Sequence, residues 1–104
     1  MLNIAMNRDG DTLTVALEGR LDTRTAPELE HAIGDALEEI SELIFDFGQL
    51  EYIASAGLRV LIASQKEMSK HGSMKLINVP EMVMEVLEVT GLADVLDIER
   101  IADE

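Results

Sequence analysis

Ser55, Asp46, His31 and His71 are the side chains whose types invite a chemical reading, and their spacing limits what they can do. An acyl-transfer serine needs a base within hydrogen-bond reach, and no histidine stands at a sequence-evident partner position for Ser55. The two histidines are far apart and form neither an HxH nor an HxxxH pair. With no cysteine there is no thiol nucleophile, thiolate zinc site or disulfide framework. Asp46, near the end of the bulky run Leu43-Ile44-Phe45-Asp46-Phe47, invites an aspartyl-phosphate reading. Such a site needs an acidic pair after the first strand and a lysine after a late one, and neither is visible. Asp46 therefore reads as a strand-end carboxylate satisfied by neighbouring backbone N–H groups. No GxxxxGK[ST] and no GxGxxG after a strand is present to cradle a nucleotide. Carboxylate pairs are unavoidable among 21 acidic residues, and most of these fall on solvated helix faces. Neither enzymatic activity nor a cofactor is expected.

Ser55 keeps two readings. Within Tyr52-Ile53-Ala54-Ser55-Ala56-Gly57-Leu58-Arg59 it stands at the start of a helix, as an N-cap accepting from the N–H of Gly57 or Leu58. A cap of that kind is worth about 1 kcal/mol. The other reading is a regulatory phosphoserine. A phosphate there would meet free N–H donors and the positive end of the helix dipole, and would add roughly −1.5 to −2 charge to the surface.

The elements that must position these residues follow from periodicity. Leu2, Ile4 and Met6 alternate with Asn3, Ala5 and Asn7; Arg8-Asp9-Gly10-Asp11 turns the chain; Leu13, Val15 and Leu17 alternate again. This is a β-hairpin with one apolar face. Thr25 and Glu28 fit a capping box, with Pro27 in the first turn, ahead of a helical stripe from Leu29 through Ile33 and Leu37 to Ile40. Leu43 to Phe47 suits a central strand and Gly48 to Ala54 a loop. A helix runs from Ser55 to about His71, where Gly72 offers a left-handed stop. It turns Leu58, Leu61, Ile62 and Met68 to the sheet and Arg59, Lys66 and Lys70 outward. Met74 to Val79 is a strand, Pro80 opens a helix carrying Met82, Val83, Val86 and Leu87, Thr90-Gly91 closes it, and Val95 to Ile98 is a last strand. Strands alternating with helices after a hairpin make an α/β fold with a mixed sheet of four to five strands.

With 104 residues the chain is one domain, 1–104, and its 47% hydrophobic content suffices for a core. Phe45, Phe47 and Tyr52 are the only aromatics, so that core is aliphatic. Eight basic against 21 acidic residues give a net charge of −13, which opposes direct binding of nucleic acid or anionic membrane. Between Arg24 and Arg59 no Lys or Arg occurs, so the cations of the Ser55 helix stand out as a docking stripe for an acidic partner or as a solvated face. No secretory or membrane-spanning pattern is present, and a cytoplasmic location is expected. Self-repulsion points to a monomer or weak dimer.

Three blocks carry a resemblance to the STAS-domain family, specifically the stand-alone bacterial anti-sigma factor antagonists. Gly19-Arg20-Leu21-Asp22 with Thr25-Ala26-Pro27-Glu28-Leu29 resembles the family's lead into its first helix. The stretch from Asp46 to Leu61 resembles its phosphorylation-site block. Met74-Lys75-Leu76-Ile77-Asn78-Val79, followed by Val86 to Leu92, resembles its L-x-N-V and L-x-x-T-G-L block. Together they span nearly the whole chain.

The resemblance implies a partner switch. In that family the unphosphorylated antagonist binds an anti-sigma factor with serine kinase activity and frees a sigma factor; phosphorylation blocks binding and a phosphatase restores it. By position Ser55 is then the phosphoacceptor. Asp22, Thr23, Ala54, Ser55, Ala56, Gly57, Leu58, Arg59 and Asn78 fall at partner-binding positions, with Asp22 and Asn78 expected near the serine. The chain departs from the pattern at Ala54, where the family often has Asp, and at Gly48, where many members have Ser. A C-terminal helix is shortened to Glu99 to Glu104. The alternative role is a STAS scaffold that is never phosphorylated, or a subunit of a signalling or lipid-transport complex. A small-ligand or nucleotide-binding domain has no loop motif behind it.

Overall fold

The computed structural model describes residues 1–100. Five strands form one mixed sheet in the order β1-β2-β3-β4-β5. β1 (Leu2–Asp9) and β2 (Thr12–Leu21) are the antiparallel hairpin, turned at Gly10, whose φ of 64° is left-handed. β3 (Glu42–Ile53), β4 (Ser73–Val79) and β5 (Asp97–Arg100) follow in parallel, each beside the strand before it. Between them run α1 (Ala26–Ile33), α2 (Ser55–Met68) and α3 (Glu81–Val89).

Because every parallel crossover steps the same way across the sheet, right-handed connections place all three helices on one face. Burial agrees. Leu13, Val15, Leu17, Leu43, Phe45, Phe47, Met74 and Leu76 are buried on that face, while Thr14, Ala16, Ile44 and Ile77 on the other are only half-buried. Phe45 and Phe47 lie with ring centroids 6.0 Å apart at the centre of an otherwise aliphatic core.

Several expectations are corrected. β3 does not end at Phe47 but runs to Ile53. Opposite β2 it carries an extra residue between Asp46 and Gln49 and another between Leu50 and Tyr52. These two bulges break the period-two alternation, which is why Gly48 to Ala54 reads as a loop. The first helix stops at Ile33, and a separate 3-10 turn over Ala36–Glu39 buries Leu37. The capping box does not form. Thr25 is the N-cap residue, but its side chain makes no capping bond and is engaged by the preceding loop instead. Gly72 is not left-handed; it is required because a Cβ would run into the Ser41 carbonyl oxygen. The last strand is Asp97–Arg100, preceded by a 3-10 turn over Leu92–Asp94, and Val95 is exposed. Met6, Ile62 and Met82 also face outward rather than into the core. Of the stretch Glu99 to Glu104 that stands for a shortened C-terminal helix, Glu99 and Arg100 belong to β5, and the rest lies outside the described residues.

Candidate functional site

The site grows from one close approach. A Cβ on Gly57 would lie 2.6 Å from Leu21 Cγ and 3.1 Å from Ile53 Cγ1, so only glycine lets α2 begin pressed against the ends of β2 and β3. The Ala54 N–H donates to the Leu21 carbonyl at 2.9 Å, fixing Ala54 in an extended conformation as the N-cap residue. The Ala54 carbonyl in turn accepts from Gly57 N–H at 2.9 Å and Leu58 N–H at 3.1 Å.

Ser55 is therefore the first helical residue, not the cap. The two N–H groups it was expected to satisfy are already held by Ala54. Its side chain is exposed, and no side-chain hydrogen bond caps this helix. The N–H groups of Ser55 and Ala56 are left at the open helix start, where the dipole is positive.

Beside it stands the loop leaving β2. Asp22 Oδ1 accepts from the Arg24 N–H at 3.0 Å and the Thr25 N–H at 3.1 Å. Thr25 Oγ1 accepts the Asp22 N–H at 2.8 Å and donates to the Arg20 carbonyl at 2.8 Å. The Thr25 backbone N–H holds the Asp22 carboxyl below its ordinary value; desolvation opposes this in part, and the Arg24 N–H adds to it. The threonine that reads as a helix cap is thus buried as the clasp of this loop.

Thr23, Ala56 and Arg59 line one hollow of about 340 Å³ between α1 and α2, with Pro27, Glu30 and Val60. A second hollow of about 220 Å³ continues along the same two helices and shares Glu30, Val60 and Ala63. Leu58 is buried beneath the helix start. Of the outward cations, Lys70 pairs with Glu67 at 3.4 Å, whereas Arg59 and Lys66 form no ion pair among the described residues.

Asn78 is placed differently from the rest. It sits at the end of β4 with φ 54°, and its amide donates to Asp46 Oδ1 at 3.1 Å. The same oxygen accepts the Gly48 N–H at 2.9 Å. Asp46 is thus satisfied by one backbone N–H and by Asn78, in mid-strand rather than at a strand end. The structure brings Asp22, Thr23, Ala54, Ser55, Ala56, Gly57, Leu58 and Arg59 around the start of α2; Asn78 is bonded to the Asp46 and Gly48 stretch instead.

Two neighbours are missed by the sequence reading. Arg20 and Tyr52 are cross-strand partners, with the guanidinium 4.2 Å from the ring centroid and Arg20 Nε 3.9 Å from Asp22 Oδ2. Their pairing depends on both β3 bulges, so no sequence spacing announces it. Among the described residues no three His, Cys, Asp or Glu side chains are grouped to hold a metal. No helix among them is long and apolar enough to cross a membrane.

A mixed sheet with one covered face, and a small-residue helix start packed onto it, define a small α/β module whose candidate site is a surface rather than a cleft. The STAS domain model matches residues 3–104, and the chain belongs to the STAS domain family. It is 29% identical over 98 residues to the anti-sigma-B factor antagonist of Bacillus subtilis, covering 93% of this chain and 90% of that one. The anti-sigma factor antagonist structure from Mycobacterium paratuberculosis superposes with a TM-score of 0.87 at 23% identity, over 95% of this chain and 86% of that one. The Bacillus cell fate determinant SpoIIAA in its phosphorylated form gives 0.75 at 20% identity, over 98% and 93%. These two structural likenesses speak for the fold alone.

Proposed function

We propose that this chain is an anti-sigma factor antagonist. Unphosphorylated, it binds an anti-sigma factor with serine kinase activity through the surface around the start of α2, and a sigma factor is freed. Phosphorylation of Ser55 abolishes that binding, and a phosphatase restores it. The observation that carries this reading is the exposed Ser55 hydroxyl on the first residue of a fourteen-residue helix whose cap is supplied by the Ala54 backbone. A phosphoryl group on that oxygen would meet unused N–H donors at the positive end of the helix dipole, so it changes the surface without opposing the fold.

The relatives support the reading by name: the Bacillus subtilis protein is described as an anti-sigma-B factor antagonist. Ala54 in place of the family's frequent Asp favours one competing role, a STAS module that binds its partner without being phosphorylated. Intact-mass measurement and phosphosite mapping after incubation with ATP and the native lysate separate the two. A single phosphate on Ser55, together with weakened partner binding by Ser55→Asp and retained binding by Ser55→Ala, is the expected result. Unmodified protein, with partner affinity indifferent to ATP and to both substitutions, overturns the switch and leaves the constitutive module.

A further inference from the structure

Among the described residues β1 and β5 are the edge strands of the sheet, and they are unlike. The described part of β5 is Asp97-Ile98-Glu99-Arg100, charged at all but one of these residues. Charged edge strands resist the addition of another strand. β1 runs from Leu2 to Asp9 and pairs with β2 without a bulge. From Leu2 to Asn7 it carries neither charge nor proline, in a chain of net charge −13. None of the usual protections of an edge is present there.

The hydrogen-bond sense of the hairpin fixes which groups of β1 are free. Arg20 N–H donates to the Met1 carbonyl at 3.1 Å. Hydrogen-bonded and non-hydrogen-bonded pairs alternate along an antiparallel ladder. Asn3, Ala5, Asn7 and Asp9 accordingly direct their N–H and C=O groups to β2, and Leu2, Ile4, Met6 and Arg8 turn theirs outward.

We infer that β1 pairs with β1 of a second copy, antiparallel about a two-fold axis through Ala5. In that register Ile4 faces the partner's Met6, Leu2 faces the partner's Arg8, Asn3 faces the partner's Asn7, and Ala5 faces its own counterpart. Every outward residue meets an outward residue, closing about eight N–H···O bonds, two per pair. On the helix face Ile4 and Met6 meet at the centre and Leu2 lies along the stem of the partner's Arg8 at the ends, while amide meets amide on the open face. A shift of two residues either way loses one of the four outward pairs. The register is self-complementary, which favours a second copy over an unrelated strand. Pairing also covers Met6, 46% exposed in the single chain.

Repulsion between two strongly acidic chains opposes this assembly, and the uncharged stretch from Leu2 to Asn7 keeps like charges out of the middle of the contact. Association therefore tightens as salt rises, because screening removes the repulsion while the backbone pairing is unaffected.

The native chain has no cysteine, so a single introduced one reports the register. At the axis Ala5 and its counterpart form a non-hydrogen-bonded pair, with Cα atoms about 4.5 Å apart and inside the disulfide range of about 4.4–6.8 Å. Under mild oxidation Ala5→Cys is expected to form a covalent dimer of twice the 11.4 kDa chain mass. Asn3→Cys, which faces Asn7, is not. Light scattering of the native chain in raised salt should show the dimer. Met6→Pro should return it to monomer with unchanged circular dichroism, since the Met6 N–H is not used by β2. Met6→Lys provides the same test should the proline variant fail to fold. A monomer at the highest soluble concentration, equal cross-linking of Asn3→Cys and Ala5→Cys, or a dimer that survives substitution of Met6 overturns the assignment.

Discussion

Gly57 and Leu21 are packed so closely that an ideal Cβ on Gly57 would stand 2.6 Å from Leu21 Cγ and 2.9 Å from its Cδ2. Leu21 is fully buried at the end of β2, and it has no open space into which to retreat. The glycine is thus what sets the height of the α2 start, and with it Ser55, above the sheet.

Gly57→Ala tests this through its sign. In a helix interior alanine is favoured over glycine by about 1 kcal/mol, so a helix-only account has this substitution stabilising. Forcing a methyl into a packed contact costs roughly 1–3 kcal/mol. The packing cost is expected to win, with a net loss of about 1 kcal/mol in urea unfolding. An increase in stability would mean that the contact with Leu21 is relaxed in solution. Because the substitution tilts the helix start, partner affinity should fall with it.

Ser55→Ala separates the two roles that sequence alone allows for this hydroxyl. A capping serine loses about 1 kcal/mol on replacement by alanine. Since Ala54 is the cap residue and its carbonyl already takes the Gly57 and Leu58 N–H groups, the change should stay within about 0.5 kcal/mol. The unfolding midpoints of the two proteins in urea give the answer directly.

What was legible in the sequence was whatever local period or local chemistry decides. The hairpin, the helix from Ser55 and the close of α3 at Thr90-Gly91 follow from alternation, helical spacing and glycine. The second half of β3 was hidden because its two bulges destroy the alternation that marks a strand. The roles of Thr25 and Asp22 were obscured for a different reason. The same residue types that cap helices also build tight loops, and only the fold shows Thr25 donating back to Arg20. Arg20 and Tyr52 meet across parallel strands, where no turn length fixes the register.

Asn78 combines a left-handed backbone at φ 54° with an amide on Asp46, and two substitutions take these apart. Both Asn78→Gly and Asn78→Ala remove the amide. Only alanine leaves a Cβ in the left-handed region, at a cost of roughly 1–2 kcal/mol. Glycine gives back part of this difference, about 0.5–1 kcal/mol, through the greater freedom of the unfolded chain. Asn78→Ala is expected to be the less stable of the two by about 1 kcal/mol. Equal stabilities would show that the backbone at Asn78 relaxes once the bond to Asp46 is gone.

The Asp22 loop should announce itself in the acid limb of the stability curve. The Thr25 backbone N–H, first among its partners, holds the folded-state carboxyl below the ordinary 3.8. A group whose folded pKa is depressed contributes stability that is fully present above the unfolded value. That contribution is lost as pH falls through the folded value, when both states are protonated. Asp22→Asn keeps the shape but accepts more weakly from the Thr25 and Arg24 N–H groups, and it does not titrate. The stability gap between native chain and variant should accordingly be constant from neutral pH down to the ordinary carboxylate value, then close below it. Measuring both proteins by urea unfolding across that range checks the sign. A gap that persists unchanged into strong acid would place the effect of Asp22 in its shape and not in its charge.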